Sequence, residues 1–160
     1  MTTEDPMEVD TRSDTAIYEA YAPELVRFAT GLIGPTDAAD VVADAFLALL
    51  AAPVWPRAEN HRALLYRRVL FEARSRMRSA QRRRSREDRA ERVTTVEFPD
   101  LRPDVAVAVL GLSPQQRAVV VLTYWQDLTP AAVADLLAIS EGAVRKHLAR
   151  ARTHLRRFLA

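Results

Sequence analysis

The sequence contains no cysteine among its 160 residues and only four glycines. Without thiols the chain has neither a disulfide framework nor a thiolate metal site, which fits a reducing compartment. So few glycines leave no glycine-rich loop of the kind that cradles phosphates.

No apolar run approaches the roughly 20 residues that a membrane span needs. The start of the chain, MTTEDPMEVDTRSD, is acidic and polar, the reverse of a secretory signal peptide. We therefore predict a cytoplasmic protein without membrane insertion, whose residues 1–15 form a disordered acidic tail.

Charge is segregated along the chain, although the net charge is only +2. Residues 1–60 carry 3 Arg against 11 acids, and residues 93–139 carry 2 Arg against 5 acids. Residues 61–92, in contrast, carry 12 Arg against 4 acids, and residues 140–160 carry 6 Lys or Arg against 1 acid. Two separate basic blocks suggest two contacts with one extended polyanion.

Apolar residues recur at helical spacing along most of the chain, and no alternating strand pattern of useful length is present. Gly34-Pro35 predicts the end of a first helix, with Thr36 and Asp37 as candidate N-caps for the next one. Hydrophobic residues make up 49% of the chain, which is enough to build a core.

A charged stretch that contains Pro99 and Pro103 indicates a boundary between two domains. We predict an all-α fold of two small helical domains joined by a flexible linker over residues 85–103. The first is a helical bundle over residues 16–84, and the second is a helix-turn-helix domain over residues 104–160.

The C-terminal part of the chain predicts a helix-turn-helix unit. Thr129-Pro130 begins a short helix, residues 138–140 form a tight turn, and Ser140 caps a longer helix. The second helix of such a unit enters the major groove, and small residues beside arginines suit it for base edges and phosphates. The alternative, a solvated amphipathic helix, does not explain the preceding helix and the capped turn. The residues predicted to contact DNA are Ser140, Glu141, Ala143, Arg145, Lys146, Ala149, Arg150 and Arg152.

Catalytic and metal-binding patterns are missing from the sequence. His147 and His154 lie seven residues apart on one predicted helix, without a third ligand. No Ser/His/Asp or Cys/His arrangement is present. We therefore expect no enzymatic activity, no metal and no cofactor.

Two long segments carry a resemblance to a known family. The segment LSPQQRAVVVLTYWQDLTPAAVADLLAISEGAVRKHLARARTHLRRFL resembles the promoter-reading C-terminal domain of bacterial RNA polymerase sigma factors of the extracytoplasmic-function (group IV) type. The segments YEAYAPELVRFATGLIGPTDAADVVADAFLALL and ALLYRRVLFEARSRMRSAQRRR are similar to the other conserved domain of that family. The resemblance covers about residues 16–92 and 104–160, in the family's order, without a middle domain.

The resemblance implies a dissociable promoter-specificity subunit of RNA polymerase. Such a subunit binds the core enzyme, recognises the −35 and −10 promoter elements and supports promoter opening. Its partners would be the coiled coil of the polymerase's largest subunit, the flap, and promoter DNA as duplex and as melted single strand. Many relatives are held inactive by an anti-sigma protein, which makes such a protein a candidate partner.

The resemblance also assigns residues in the first domain. Asp40 and Asp44, four apart on one helix face, would dock on the polymerase. The domain over residues 16–84 would dock on the polymerase and would melt and recognise the −10 element. The residues assigned to that region are Asn60, His61, Arg62, Arg67, Arg68, Phe71, Arg74, Ser75 and Arg78.

Five positions depart from the family pattern. Ala39 stands where a Glu is usual, and Ala43 stands where a Gln is common in the polymerase-docking helix. Phe71 stands where an Asn is usual; we interpret it as core packing, because it follows Leu64 by seven residues, with stacking on a base as the alternative. Ala138 replaces the usual Gly of the turn, so a left-handed backbone there would be strained. Ala143 replaces a Thr and removes one hydroxyl donor to phosphate.

A second function remains open from the residues alone, a stand-alone helix-turn-helix regulator that binds operator DNA. An operator-binding protein has no need for the Asp40/Asp44 pair or for the arginine-rich helix over residues 62–84. These two features distinguish the sigma-factor interpretation from the regulator.

Overall fold

The structure is a computed structural model that describes residues 6–86 and 101–159, without the side chains of residues 6–13 and of Arg84. The described residues form helices and connections and contain no strand, which confirms the all-α prediction. The helices are α1 (Pro6–Ile33), α2 (Pro35–Leu50), α3 (His61–Arg86), α4 (Pro103–Leu110), α5 (Pro114–Val120), α6 (Pro130–Leu137) and α7 (Glu141–Leu159). A 3₁₀ turn (Trp55–Arg57) precedes α3, and a π-helical turn (Val121–Trp125) continues α5.

Helices α1, α2 and α3 pack together as a bundle. Their apolar stripes meet in a core that includes the fully buried Phe28, Val41 and Val69. Helix α1 ends before Gly34, whose φ of 87° lies in the left-handed region that glycine adopts without strain. The predicted end of the first helix is therefore confirmed.

Two details at the ends of the first helices differ from the prediction. The N-cap of α2 is Gly34 rather than Thr36 or Asp37, because Pro35 occupies the first helical position, where its missing N–H costs nothing. Helix α1 begins at Pro6, inside the segment assigned to a disordered tail. Asp14 in this segment accepts a hydrogen bond from the buried Trp55 indole at 2.7 Å, so the packed part of the chain starts before residue 16.

Helices α4 to α7 form the second unit, with α7 packed against α4, α5 and α6. Ser113 caps α5 in a reciprocal capping box with Gln116, and the Thr129 hydroxyl caps α6 by accepting from the Ala132 N–H at 3.2 Å. The predicted start of a helix at Thr129-Pro130 is thus confirmed, and Ser113-Pro114 begins α5 in the same way. The predicted flexible linker falls mostly on residues 87–100, which lie outside the described residues.

The two units share one continuous core, which the sequence did not predict. Helix α1 packs on α5 and its π-helical continuation, and α3 packs on α6. The buried Arg117 of α5 donates to the backbone carbonyl of Leu32, at the end of α1, at 2.6 Å. The chain is therefore closed on itself rather than separated into two independent bodies.

Candidate nucleic-acid interface

Helix α7 presents the basic face that the sequence predicted. Its N-terminus is capped by the Ser140 hydroxyl, which accepts from the Ala143 N–H at 3.0 Å. Val144, Leu148 and Ala151 form the buried stripe against the second unit. The opposite side is solvent-exposed and carries Arg145, Lys146, Ala149, Arg150 and Arg152.

The remaining residues assigned to this face lie at the start of α7. Ser140 and Glu141 are exposed, and Ala143 is half-buried. Among the side chains that the structure describes, no ion pair involves Arg145, Lys146 or Arg150. These cations are therefore available to an external polyanion.

The turn before α7 adopts the left-handed backbone expected to be strained. Ala138 has φ 54° and ψ 45°, and its N–H bonds to the Ala134 carbonyl. A Cβ in this region costs about 1–2 kcal/mol. The strain is tolerated because burial of Val133, Leu137 and Val144 on both sides of the turn fixes the angle between α6 and α7.

One residue beside this face was missed by sequence reasoning. Tyr124 lies in the π-helical turn, is half-exposed, and its hydroxyl accepts a hydrogen bond from the Arg152 Nε at 3.0 Å. The tyrosine thereby orients one of the predicted DNA-contacting arginines. A π-helical turn leaves no periodic signal in the sequence, so the contact could not be foreseen.

The start of α3 holds three residues assigned to the −10 region, and each has an internal partner. Asn60 caps the helix, with its Oδ1 accepting from the Ala63 N–H at 2.9 Å. His61 Nε2 lies 2.9 Å from the Trp55 carbonyl oxygen. Arg62 donates two hydrogen bonds of 2.9 Å to the Glu24 carboxylate. These contacts order the start of the helix.

A small polar network lies behind Arg62. The buried Tyr66 hydroxyl lies 3.0 Å from Glu24 Oε2 and 2.8 Å from Gln126 Oε1. Burial, followed by the charge of Glu24, raises the pKa of Tyr66 well above its ordinary value. Burial also opposes ionisation of Glu24, but hydrogen bonds from Arg62 and Tyr66 outweigh it and lower the pKa of that carboxyl. The network therefore keeps a charged Glu24–Arg62 pair beside a neutral phenol.

The middle of α3 corrects one interpretation. Phe71 is 51% exposed, so the assignment of this ring to the core is wrong. The Arg68 guanidinium lies over the ring at 4.6 Å from its centroid and pairs with Glu72 at 2.8 Å. Helical spacing from Leu64 misled the prediction, because the face that Leu64 and Phe71 share lies at the margin of the core rather than inside it. Leu64 is itself only half-buried.

The other residues assigned to the −10 region lie along the same helix. Arg67 donates to the Ala63 carbonyl at 3.2 Å, and Arg74 donates to Gln115 Oε1 of the second unit at 2.6 Å. Ser75 and Arg78 are exposed. The structure thus places the assigned residues on α3 or at its start. Arg62, Arg67 and Arg74 are hydrogen-bonded to neighbouring groups, whereas Arg78 is exposed.

The two acids assigned to polymerase docking are exposed on α2. Asp44 pairs with Arg76 of α3 at 2.7 Å, and the same arginine lies 3.9 Å from Asp37. The acidic face of α2 and the basic helix α3 therefore meet at one edge. The acidic and basic blocks are separate along the sequence, but in the folded chain their surfaces adjoin where α2 contacts α3.

The two histidines of α7, His147 and His154, each lie close to other groups of the protein. Nε2 of His154 lies 3.1 Å from the Ala108 carbonyl oxygen. Burial, with the nearby Arg150, Lys146 and Arg74, lowers the pKa of His147. The described part of the chain contains no group of three or more His, Cys, Asp or Glu side chains that could hold a metal ion.

Comparison with known proteins identifies both halves. A family model for sigma-70 region 2 matches residues 17–83, and one for sigma-70 region 4 matches residues 104–155. No curated protein matches the chain. None of the described helices is both long and apolar enough to cross a membrane.

Two solved structures are similar over most of their length. The sigma factor RpoE of Bartonella quintana, in complex with the anti-sigma factor NepR, has 24% sequence identity and a TM-score of 0.65, over 91% of this chain and 95% of that one. CnrH, in complex with the cytosolic domain of CnrY, has 26% identity and a TM-score of 0.60, over 94% of this chain and 89% of that one.

Proposed function

Since this chain belongs to the sigma-70 family, as a sigma factor of the extracytoplasmic-function type, we propose how its residues divide the work of promoter recognition. Region 4 and region 2 in one chain imply binding to promoter DNA and to core RNA polymerase. In our proposal α7 reads the −35 element, α3 holds the −10 region, and α2 docks on the polymerase. The single observation that carries the proposal is the match of both regions, in order, in one helical chain.

The assignment of the −35 element to α7 rests on exposure and charge. Arg145, Lys146, Arg150 and Arg152 are exposed on one side of a helix whose other side is buried. Arginine and lysine can bind guanine in the major groove, while other cations on the face hold phosphates. The small side chain of Ala149 between them permits close approach of the helix to the base edges.

The assignment of the −10 region to α3 rests on an exposed ring bordered by arginines. The ring of Phe71 is 51% exposed, so a base from the melted strand can stack on it in place of the Arg68 guanidinium. Arg68 beside the ring and Arg78 further along the helix supply charge for the phosphates. Stacking replaces the stacking energy that each base loses when the duplex opens, so no catalytic group is required.

The docking assignment rests on the exposure of Asp40 and Asp44 on one face of α2. Asp44 already pairs with Arg76, so a basic polymerase surface would exchange that pair for one of its own. Exposed pairs are worth little, about 0–1 kcal/mol each. These acids would therefore set orientation and partner choice more than total affinity.

Further partners and the location of the protein follow from the same proposal. Both similar solved proteins are bound to another protein, which is the anti-sigma factor NepR in one case and the cytosolic domain of CnrY in the other. This supports an anti-sigma protein as a partner of this chain as well. A polymerase subunit acts at the chromosome, which supports a cytoplasmic location. Since the polymerase catalyses RNA synthesis, we infer that the chain has no enzymatic activity of its own.

Reconstitution with core RNA polymerase tests the proposal. The purified chain should direct transcription from a specific promoter, identified by footprinting genomic fragments with the reconstituted enzyme. A chain that binds duplex DNA by itself and never associates with core polymerase would instead be a stand-alone operator-binding regulator. The region 2 match makes that alternative less favoured.

Charge reversal on α2 tests the docking residues. The variant Asp40→Arg/Asp44→Arg should weaken retention by immobilised core polymerase and leave binding to −35 duplex DNA unchanged. Glu19→Arg, which changes an exposed acid of α1, is the matched control. Equal retention of both variants would refute the assignment of Asp40 and Asp44.

A further inference from the structure

The connection between α2 and α3, residues 51–60, is built around one buried tryptophan. Trp55 is 3% exposed, whereas its neighbours Val54 and Pro56 lie at the surface. The Trp55 carbonyl accepts from the Ala58 N–H at 3.2 Å, which closes a short turn. The connection is therefore anchored to the bundle through the side chain of Trp55.

Trp55 also fixes the start of α3. Its carbonyl oxygen lies 2.9 Å from His61 Nε2, and the two rings meet edge to face with their centroids 4.5 Å apart. Asn60, the residue before His61, caps α3 through the Ala63 N–H. Asn60 and His61 are the first residues, in chain order, that we assign to the −10 region. The position of these two side chains thus depends on the position of Trp55.

The acceptor for the buried indole comes from α1. An indole N–H is a donor only, so a buried tryptophan ring needs an acceptor for it. Trp55 Nε1 donates to Asp14 Oδ1 at 2.7 Å, the short end of the range for an N–H···O hydrogen bond. Asp14 is half-buried, which partly shields this bond from water.

The same face of α1 packs on the aromatic surroundings of Trp55. Tyr18 follows Asp14 by one helical turn, and its ring centroid lies 4.9 Å from that of Phe46. Phe46 in turn meets Trp55 edge to face at 5.6 Å between centroids. Helix α1 therefore holds the tryptophan in two ways, by ring packing through Phe46 and by a hydrogen bond from its indole.

Asp14 precedes the segment that matches the family. The model for sigma-70 region 2 covers residues 17–83, so the match does not include this carboxylate. Loss of the carboxylate would leave the indole N–H of Trp55 without its acceptor, and a buried donor without a partner costs its full desolvation. The indole would then shift towards water, and the start of α3 would shift with it.

We propose that Asp14 is a positioning residue for −10 recognition: through Trp55 it sets where Asn60 and His61 meet the melted strand. The inference rests on the proposed function, because it concerns residues that we assign to the −10 region. A carboxylate repels phosphate, so Asp14 acts from behind the connection rather than at the DNA. The N-terminal part of α1 thereby takes part in promoter recognition without a DNA contact of its own.

Binding of −10 DNA by the reconstituted polymerase tests the positioning role. The probe is a fork-junction DNA with a single-stranded −10 segment, taken from a promoter that the enzyme transcribes. Asp14→Ala should weaken its binding about threefold to tenfold, flatten the preference among bases at one −10 position and leave binding of −35 duplex DNA unchanged. Asp14→Asn keeps an oxygen acceptor and should restore both −10 properties. Glu19→Ala, which changes an exposed acid of the same helix, is the matched control.

A double-mutant cycle tests the route through Trp55. Trp55→Phe keeps an aromatic ring against Phe46 and His61 but removes the N–H that Asp14 accepts. Adding Asp14→Ala to Trp55→Phe should therefore cause no further loss of −10 binding. A further loss, as large as the one that Asp14→Ala causes in the wild type, would show that Asp14 acts by another route and would overturn the inference.

NMR of the free chain checks the hydrogen bond itself. The chain has two tryptophans, so Trp125→Phe identifies the indole N–H signal of Trp55. This signal should move, and its hydrogen exchange should accelerate, in Asp14→Ala. Both changes should be much smaller in Asp14→Asn. An indole signal that Asp14→Ala leaves unchanged overturns the inference.

The outcomes separate this inference from the proposed function. Equal −10 binding by Asp14→Ala and Glu19→Ala overturns the inference, and so does an Asp14→Asn chain as impaired as Asp14→Ala. Parallel loss of −35 and −10 binding in Asp14→Ala would show a purely structural role and also overturns it. A wild-type chain that binds neither core polymerase nor promoter DNA refutes the proposed function instead, and the positioning role with it.

Discussion

Replacement of Arg117 by Met should destabilise the folded chain, although it removes a buried charge. Arg117 is 6% exposed and donates to the carbonyls of Leu32, Leu110 and Leu112 at 2.6, 2.7 and 3.2 Å. Leu32 and Leu110 lie in the last turns of α1 and α4, where helix carbonyls lack intrahelical donors. One guanidinium thus satisfies backbone groups from both halves of the molecule.

Two opposing effects decide the size of the change. Burial lowers the pKa of Arg117 to about 10 from its ordinary value of 12.5. This shift corresponds to about 3 kcal/mol of desolvation cost at about 1.4 kcal/mol per pKa unit. Hydrogen bonds to a charged group contribute about 1.5–3 kcal/mol each, so three contribute about 5–9 kcal/mol. The bonds outweigh the cost, and we expect Arg117→Met to lower the free energy of unfolding by about 2–6 kcal/mol.

Urea denaturation of the full chain, followed by circular dichroism, measures this change. Arg82→Met on the exposed side of α3 is the matched control and should shift the free energy of unfolding by less than about 0.5 kcal/mol. Arg117→Lys should lie between the wild type and Arg117→Met, since an ammonium cannot reach all three carbonyls. An Arg117→Met chain as stable as the wild type, or more stable, would show that the desolvation cost exceeds the hydrogen bonds and would refute the reasoning.

Three further predictions concern DNA binding and pH. Phe71→Ala should weaken binding of single-stranded −10 DNA to the reconstituted polymerase by about 1–3 kcal/mol, whereas Phe71→Tyr should retain it; equal loss in both variants would argue against stacking. Arg145→Ala or Lys146→Ala should weaken binding to the −35 element by about 1–3 kcal/mol if the side chain contacts a base. Transcription from a series of promoter mutants would then show relaxed specificity at one base position. Because the pKa of Glu24 is lowered in the folded chain, its stabilisation is present above pH 4.5 and is lost as the pH falls through the folded-state value. Glu24→Gln should therefore be less stable than wild type at neutral pH and less sensitive to acid below pH 4.5, as urea midpoints measured across this range would show.

Local chemistry explains which parts of the fold were predictable. Gly34-Pro35, Ser113-Pro114 and Thr129-Pro130 act through their own backbone and the next turn, so each helix boundary is visible in a few residues. The helix-turn-helix unit followed from the same signals, and the exposure of its basic face is confirmed. The strain at Ala138 was also foreseeable, because a left-handed residue is required wherever a helix ends in such a turn.

Long-range contacts explain what could not be predicted. Phe71 occupies a helical position that is compatible with burial, and only the packing of α3 against its neighbours left it in solvent. Arg62 finds Glu24 on α1, and Arg74 finds Gln115 on α5, so the availability of these arginines to DNA depends on residues about 40 positions away. No local pattern records such pairings.

The sequence by itself therefore determined the all-helical fold class, the caps of α6 and α7, the two charge blocks and, through the resemblance, the family. Each of these depends on residues within a few turns of one another or on ordered motifs. The tertiary structure alone decided that the halves share a core, that Asp14 accepts from Trp55, and that Arg117 joins the ends of α1 and α4. Those contacts depend on the relative placement of whole helices, which is set by the summed burial of many side chains and cannot be seen at any one position.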